Sequence, residues 1–199
     1  MSQPARISVV RLDGPAAAGA QDAFRLVYAE AFAEPPYDET EAEVSAAFRR
    51  FRGHTRKSAF TAALATAESG EPVGMAYGYP IGPQTGWWDQ LTKPVPEDMR
   101  REDGRRTFGL MELAVRAAWR RQGVARRLHD TLLASVDAER VLLNVRPDNE
   151  AAVAAYRTWG YRKVGDALPW AGASLHDVML LDLGRTPRTA VGRRDKRSA

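Results

Sequence analysis

The chain has 199 residues, of which 44% are hydrophobic and 27% charged, and this composition is typical of a soluble globular protein. The absence of cysteine excludes disulfides, thiolate metal sites and a cysteine nucleophile, and with only three histidines no metal is expected. The first residues show no signal-peptide pattern, and no apolar run is long enough to cross a bilayer, so we expect a cytoplasmic protein without membrane contact.

Positive charge is concentrated at the C-terminal end. Residues 184–199 contain six basic side chains and one acidic side chain, which leaves the rest of the chain near neutrality within a net charge of +4. Such a segment can bind nucleic acid or membranes, but the absence of aromatic residues and of periodicity favours a solvated end. We predict one domain over residues 1–183, a basic disordered tail over residues 184–199 and no nucleic-acid partner, while a homodimer stays open.

Hydrophobic periodicity predicts about seven strands and four helices. In chain order these are a strand over residues 6–12, helices over 21–33 and 38–51, strands over 58–68, 71–80 and 107–115, a helix over 120–136, a strand over 140–145, a helix over 148–160, and strands over 161–168 and 174–183. This order predicts a mixed α/β sheet.

Local signals set the boundaries of these elements. Proline cannot continue a helix, so Pro35 and Pro36 are expected to follow the end of the first one. Candidate caps at the other helix ends are Asp38 or Thr40, Asp148 or Asn149, and Gly160. Residues 14–20 predict a flexible entry to the first helix, and the proline- and glycine-bearing residues 81–106 are typical of a functional or mobile loop.

Residues 116–133 (RAAWRRQGVARRLHDTLL) place five arginines around the start of a predicted helix. This helix is expected to face the sheet with the apolar residues that recur every four positions, Val124, Leu128, Leu132 and Val136. Gly123 and Ala125 leave little bulk in its first turn, where unpaired backbone N–H groups and the helix dipole attract anions. The pattern predicts a phosphate site, and an arginine-rich solvated surface is the alternative. At such a phosphate site, positive charge would come from Arg120, Arg121, Arg126 and Arg127.

A second pattern follows on the predicted strand and helix over residues 140–160. It consists of Asn144, Asn149, Ala152, Tyr156 and Gly160-Tyr161. Together the two segments resemble the GNAT superfamily of acetyl-CoA-dependent N-acetyltransferases, whose diphosphate-binding pattern Q/R-x-x-G-x-G/A is met by Arg120, Gly123 and Ala125. Alanine at 125 replaces the commoner glycine, and tyrosine at 161 replaces phenylalanine. The close match runs from about residue 108 to residue 164.

The resemblance implies a GNAT-like α/β fold of the α+β type. Its sheet is mixed and mostly antiparallel, with about seven strands, a central splayed parallel pair and about four flanking helices. Acetyl-CoA, as the acyl-donor substrate, would lie between the splayed strands, with the backbone of Leu113, Ala114 and Val115 pairing with its pantetheine arm. The other implied contacts are Arg120, Arg121, Gln122, Gly123, Val124, Ala125, Arg126, Asn149, Ala152 and Tyr156.

Two residues are candidates for the chemistry of acetyl transfer. Glu112 lies just before the expected splay, where a half-buried carboxylate can act as a base, directly or through water. The alternative is a glutamate that faces solvent or pairs with an arginine. Tyr156 matches the family's usual proton donor to the CoA sulfur, and the alternative is a tyrosine packed in the core. Asn149 would bond the pantetheine arm, cap its helix, or do both.

The sequence indicates the residues of the acceptor site less specifically than those of the acetyl-CoA site. Acidic residues there could attract a cationic amine or be ordinary helix-end charges: Glu30, Glu34, Asp38 and Glu39. Aromatic residues could form walls of the acceptor pocket, with residues 87–91 as a lid, or could serve packing: Tyr37, Tyr77, Tyr79, Trp87, Trp88 and Trp170. The candidate acceptor contacts are Glu34, Tyr37, Tyr77, Trp87 and Trp88.

The predicted function is N-acetyl transfer from acetyl-CoA to a primary amine by direct attack in a ternary complex, with a small cationic amine as a possible acceptor. The alternatives are a non-catalytic acyl-CoA-binding regulatory module and an acetyltransferase for protein N-termini or lysines.

Overall fold

The computed structural model describes residues 6–184, so the predicted tail lies outside the described residues apart from Gly184. The strands are β1 Ile7–Asp13, β2 Thr61–Ala67, β3 Pro72–Pro80, β4 Thr107–Val115, β5 Arg140–Val145, β6 Arg162–Ala167 and β7 His176–Asp182. They form one sheet in the order β1-β2-β3-β4-β5-β7-β6. β4 and β5 run parallel, and the other neighbouring pairs are antiparallel. The predicted mixed sheet with a central parallel pair is confirmed.

The α-helices are α1 Gly14–Gly19, α2 Gln21–Phe32, α3 Glu41–His54, α4 Glu97–Arg100, α5 Val124–Leu133 and α6 Glu150–Thr158. α2, α3, α5 and α6 correspond to the four predicted helices. The expected flexible entry over residues 14–20 was wrong, because α1 occupies most of it. Asp13 caps α1 by accepting a hydrogen bond from the Ala16 N–H (2.9 Å), and Pro15 is tolerated in the first turn. Within residues 6–184 no helix combines the length and apolar character needed to span a bilayer.

Side-chain hydrogen bonds identify the N-cap residues of α3 and α6. Of the two candidates at each helix, the structure selects Thr40 for α3 and Asn149 for α6. Thr40 and Glu43 form a reciprocal capping box, in which the Glu43 carboxylate accepts from the Thr40 N–H at 2.7 Å. The Asn149 Oδ1 accepts from the Ala152 N–H at 3.2 Å. The capping interpretation of Asn149 is therefore confirmed.

Gly160 ends α6 as predicted. Its φ of +96° lies in the left-handed region that glycine adopts without strain. The Gly160 N–H donates to the Arg157 carbonyl, and the Tyr161 N–H donates to the Tyr156 carbonyl, both at 3.0 Å. This Schellman arrangement satisfies the last carbonyls of the helix and turns the chain into β6.

Helices cover both faces of the sheet. On what we call the α5 face, α5 and α6 pack against alternate residues of the central strands, Phe108, Leu110, Val141 and Leu143. On the opposite face, which we call the α2 face, α2 and α3 pack against β2 and β3 through Phe24, Phe51, Met75 and Tyr77. Residues 81–106 cover the remainder of the α2 face over β5 and β7, where Trp88 packs with Leu142, Val178 and Leu180.

A buried polar network fastens residues 81–106 to the sheet. The Glu102 side chain is fully buried, and its Oε1 accepts from Trp88 Nε1 (3.0 Å), Thr107 Oγ1 (2.9 Å) and the Arg140 guanidinium (2.9 Å). Thr107 and Arg140 are register partners at the start of β4 and β5. The network therefore holds the parallel pair together at its base.

We expect Glu102→Gln to lower the free energy of unfolding by about 3–5 kcal/mol, because Arg140 would stay buried without its counter-charge. Urea denaturation at neutral pH measures this loss. Glu97→Gln, at an exposed position of α4, is the control, with an expected change within about 0.5 kcal/mol. Similar small changes in both variants would contradict a structural role for the network.

Candidate active site

β4 and β5 separate after a short stretch of pairing. Residues 107–109 pair with residues 140–142, and no pairing between these strands follows. Beyond that point β4 keeps its partner β3, and β5 keeps β7. Each strand is left with one edge of N–H and C=O groups that an amide-bearing ligand arm can pair with. We call the resulting gap the V, and it is the splay that the family resemblance implies.

A β-bulge decides which way Glu112 points. Tyr77 of β3 pairs with Glu112 and Gly78 pairs with Leu110, so Met111 is an extra residue in β4. Strict alternation from Leu110, which packs on the α5 face, would turn Glu112 toward the same face. The bulge resets the alternation, and Glu112 shares the α2 face with its partner Tyr77.

The carboxylate of Glu112 is surrounded by protein although part of the residue stays accessible. Burial first, and the negative charge of Glu39 in addition, raise the pKa of Glu112 to about 8, and Arg50 opposes the shift. Among the described residues no arginine forms an ion pair with Glu112. A carboxylate with this pKa is a stronger base than an ordinary one, which suits general-base catalysis. The catalytic role itself stays a prediction.

Tyr156 lies on the other side of the V, on α6 and against the α5 face. It is 8% exposed, and its ring meets those of Trp159 and Tyr161 edge-on at 5.5 and 5.4 Å. Burial raises the pKa of Tyr156 well above its ordinary value, and the neighbouring Tyr37 and Glu112 add to this, so the hydroxyl keeps its proton at neutral pH. Glu112 and Tyr156 thus flank the V from opposite faces of the sheet.

The start of α5 presents free backbone donors. Gly123 is the N-cap residue with φ +76°, and no side chain caps this helix. Among the described residues, the N–H groups of Val124, Ala125 and Arg126 have no acceptor. A Cβ added at position 123 would meet open space, so a ligand can approach the backbone closely. Residues 123–126, which we call the anion site, therefore fit a diphosphate group.

Arg120 links the anion site to the acceptor region. Its Nε donates to the Val115 carbonyl at 3.0 Å, and its Nη1 donates to the Glu34 carboxylate at 2.6 Å. Arg120 and Glu34, predicted for different ligands, are thus brought together. Arg116, which had no role from the sequence, pairs with Glu30 at 2.6 Å and with Glu71.

The other predicted polar residues of this segment also contact the protein. Arg126 pairs with Asp130 at 2.8 Å, and Arg127 donates to the Ile7 carbonyl at 2.8 Å. Gln122 donates to the Ala118 carbonyl at 3.1 Å. Arg121 is exposed and has a φ of +61°. Their contacts with a cofactor stay predictions.

Tyrosines line the α2 side of the V around Glu112. The Tyr37 hydroxyl accepts from Asn149 Nδ2 at 3.2 Å, which joins the segment after α2 to the start of α6. Burial first, and the nearby charge of Glu112 in addition, raises the pKa values of Tyr77 and Tyr79. Two of the five predicted acceptor residues, Tyr37 and Tyr77, therefore lie near Glu112.

Glu39 adds a second carboxylate to this side. Its Oε1 accepts from the Tyr28 hydroxyl at 2.9 Å, and its Oε2 is buried without a partner among residues 6–184. Burial raises the pKa of Glu39, and the hydrogen bond from Tyr28 opposes that shift. An acceptor cation would meet two carboxyl groups on this side, and Glu112 carries negative charge only above its raised pKa.

The structure favours the packing interpretation for Trp87 and Trp88. Trp88 is buried with its indole N–H on Glu102, and Trp87 packs against the same cluster over β5 and β7. Neither is brought into contact with Tyr77, which belongs to the cluster under α2 and α3. Trp170 is 64% exposed in the loop between β6 and β7.

A supporting contact behind Tyr156 had no sequence signal. His129 of α5 is buried, its Nε2 lies 3.0 Å from the Tyr161 hydroxyl, and its ring packs on Trp159 at 4.8 Å. Burial lowers the pKa of His129 and favours its neutral form. The contact joins residues far apart in the chain, so only the packing of α5 against the turn after α6 reveals it.

Comparison with known proteins agrees with this geometry. Residues 22–161 match the Acetyltransferase (GNAT) family. An uncharacterized protein of Mycobacterium leprae is 39% identical over 69 residues, which are 35% of this chain. The match covers only 19% of that protein's length.

Solved structures share the fold. The ribosomal-protein-S18-alanine N-acetyltransferase of Escherichia coli is 17% identical, with a TM-score of 0.61 over 92% of this chain and 97% of the other. The protein yncA of Salmonella typhimurium, whose structure holds its cofactor acetyl-CoA, is 12% identical, with a TM-score of 0.63 over 94% of this chain and 99% of the other. At these identities the likeness establishes the architecture alone.

Proposed function

Because this chain belongs to the acetyltransferase (GNAT) family, we propose that it transfers the acetyl group of acetyl-CoA to a primary amine. The observation that carries the proposal is the position of Glu112 and Tyr156 on opposite faces of the V, one with a raised carboxyl pKa and one with a retained hydroxyl proton. In this proposal acetyl-CoA binds in the V and at the anion site. The acceptor amine binds at the side of the V that opens on the α2 face, which we call the α2 side.

In the proposed reaction Glu112 takes a proton from the acceptor ammonium, directly or through water, and leaves a neutral amine. The nitrogen lone pair forms a bond to the thioester carbonyl carbon, and the carbon–sulfur bond breaks. Tyr156 donates its proton to the departing thiolate, and a backbone N–H within residues 113–115 bonds the thioester oxygen. The nitrogen gives up its second proton as the amide forms, and a proton returns to Tyr156 through solvent. Both substrates are bound at once, and the products are an acetamide and free CoA.

A small cationic amine is the acceptor that the α2 side suits best. Glu39 and, once it is ionised, Glu112 supply negative charge there, and Tyr37 and Tyr77 supply aromatic surface that attracts cations. Glu34 would join them only when it is released from Arg120.

A peptide N-terminus is the second candidate acceptor. The loop between β6 and β7 exposes apolar side chains that could contact a peptide, namely Leu168, Trp170 and Leu175. It joins β7 at the end where β5 borders the open part of the V, since Val145 pairs with Asp177.

Tyr156→Phe is expected to lower kcat by about 100-fold, because the thiolate would leave without its proton donor. The acetyl-CoA dissociation constant should change by less than about threefold, since only one hydroxyl is removed. Steady-state kinetics and calorimetric titration measure the two effects. Unchanged turnover would remove Tyr156 from the mechanism.

The acceptor class is tested by incubating the protein with acetyl-CoA and one of three amines: spermidine, tyramine or a peptide with a free N-terminal alanine. Mass spectrometry identifies the acetylated product, and spermidine or tyramine is expected to react fastest. Exclusive acetylation of the peptide would favour the second candidate. Binding of acetyl-CoA with no product from any amine would favour the regulatory module instead.

A further inference from the structure

Asn144 of β5 contains a polar atom that the fold does not explain. Its Oδ1 is buried and has no hydrogen-bond partner among residues 6–184. Its strand neighbours Leu142, Leu143 and Val145 are apolar and fully packed. A buried acceptor without a donor destabilises the folded state, so such an atom needs a reason.

The strand register places Asn144 across the V from Glu112. Pairing between β4 and β5 ends at Gly109 and Leu142. Asn144 lies two residues beyond Leu142, and Glu112 lies three residues beyond Gly109. The bulge residue Met111 accounts for the additional residue, so the two side chains stand at the same height on the two sides of the gap.

Asn144 also shares the α2 face with Glu112. Leu143 and Val145 belong to the cluster on the α5 face, so the alternate residues of β5 point the other way. Asn144 pairs with Val178 of β7, which packs with Leu142 on the α2 face. The half-buried Asn144 side chain, with its Oδ1 enclosed, therefore lies on the side of the V assigned to the amine.

We propose that Asn144 Oδ1 accepts a hydrogen bond from the acceptor amine and holds its nitrogen across the V from Glu112. The inference rests on the proposed function. A primary ammonium group carries enough N–H groups to donate to Glu112 and to Asn144 at the same time. One proton then leaves with Glu112 while the other bond keeps the nitrogen lone pair directed into the V.

The test compares Asn144→Leu with the parent protein, using whichever of spermidine, tyramine and the alanine peptide the parent acetylates fastest. Leucine has a similar size but no acceptor, so the amine KM is expected to rise about 10-fold or more. The acetyl-CoA KM should stay within about threefold, and the Tm should be unchanged or higher because the unpartnered oxygen is gone. Asn144→Asp keeps an oxygen at the same reach and should restore most of the amine affinity.

Thr61→Val is the matched control. Thr61 Oγ1 is also buried without a partner among the described residues, and it lies on β2, two positions before Ala63 of the α5-face cluster. This variant removes an unpartnered oxygen on the opposite face of the sheet from the amine, so both KM values should match those of the parent.

An unchanged amine KM in Asn144→Leu would overturn the inference. A rise in the acetyl-CoA KM alone would also overturn it, since Asn144 would then contact the donor, while the proposed function would stand. Failure of the parent to acetylate any of the three amines would contradict the proposed function itself, and this inference with it.

Discussion

Glu112→Gln is expected to lower kcat for amine acetylation by about 100- to 1000-fold, the usual contribution of a general base. Glutamine has nearly the same shape but cannot accept the proton of the ammonium group. The acetyl-CoA dissociation constant should change little, because Glu112 faces the α2 side rather than the anion site.

The pH dependence of kcat gives this prediction a second readout. The base must be ionised, and the pKa of Glu112 is raised to about 8, so activity of the parent should rise with pH and reach half of its limit near that value. Glu112→Gln should lose this rise. A parent profile that levels off near the ordinary carboxyl pKa of 4.5 would contradict the assignment.

The folding stability of the parent should fall as the pH rises, whereas its activity should increase. The pKa of Glu112 is raised in the folded state, so its stability contribution is present below pH 4.5 and is lost as the pH rises through about 8. Above that pH the folded protein holds a buried carboxylate that glutamine would not have. The Tm of Glu112→Gln at about pH 9 should therefore exceed that of the parent.

A matched control for this series is Glu68→Gln, which makes the same change at an exposed position beyond β2. Its kcat, pH profile and Tm should follow those of the parent. A comparable loss of activity in both variants would show that the effect of Glu112→Gln is not local.

Gly123→Glu should weaken acetyl-CoA binding by about 100-fold or more, because it brings bulk and a negative charge to the backbone that the diphosphate must approach. The free N–H groups of residues 124–126 and the positive end of the α5 dipole are the features that the new carboxylate would neutralise. Calorimetric titration with acetyl-CoA measures the effect directly.

Two controls separate charge from backbone strain. Gly123→Ala meets open space and adds only the strain of a φ of +76°, so stability should fall by about 1 kcal/mol while affinity is largely kept. Gly104→Glu adds the same charge at a φ of +83°, but Gly104 precedes β4 whereas Gly123 follows it. Normal affinity in Gly123→Glu, or equal losses in Gly104→Glu, would contradict the anion site.

Much of the fold was predictable because its signals are local. The apolar spacing of α5 correctly identified Val124, Leu128 and Leu132 as buried, and Gly160 marked the end of α6. The alternating runs on either side of residue 70 correctly predicted two strands, which pair as β2 and β3. The α1 helix was not predicted, because glycine and alanine favour flexibility and its N-cap, Asp13, is also the last residue of β1.

The orientation of the candidate base was not predictable. Alternation along TFGLMELAV would place Glu112 with Leu110 on the α5 face, and only the pairing with β3 reveals the bulge at Met111. The ion pair between Arg120 and Glu34 likewise joins segments 86 residues apart. Such contacts depend on how α2 packs beside β4, which no local pattern specifies.

The measurement that tests the central claim most directly is the initial rate of free CoA thiol release from acetyl-CoA, with and without amine, for the parent and Glu112→Gln side by side. The parent should release CoA in step with acetylated amine, at a rate that saturates with amine concentration, and Glu112→Gln should reduce that amine-dependent rate by about 100-fold or more. CoA release that does not depend on amine, or an equal amine-dependent rate in both proteins, would contradict acetyl transfer with Glu112 as its base.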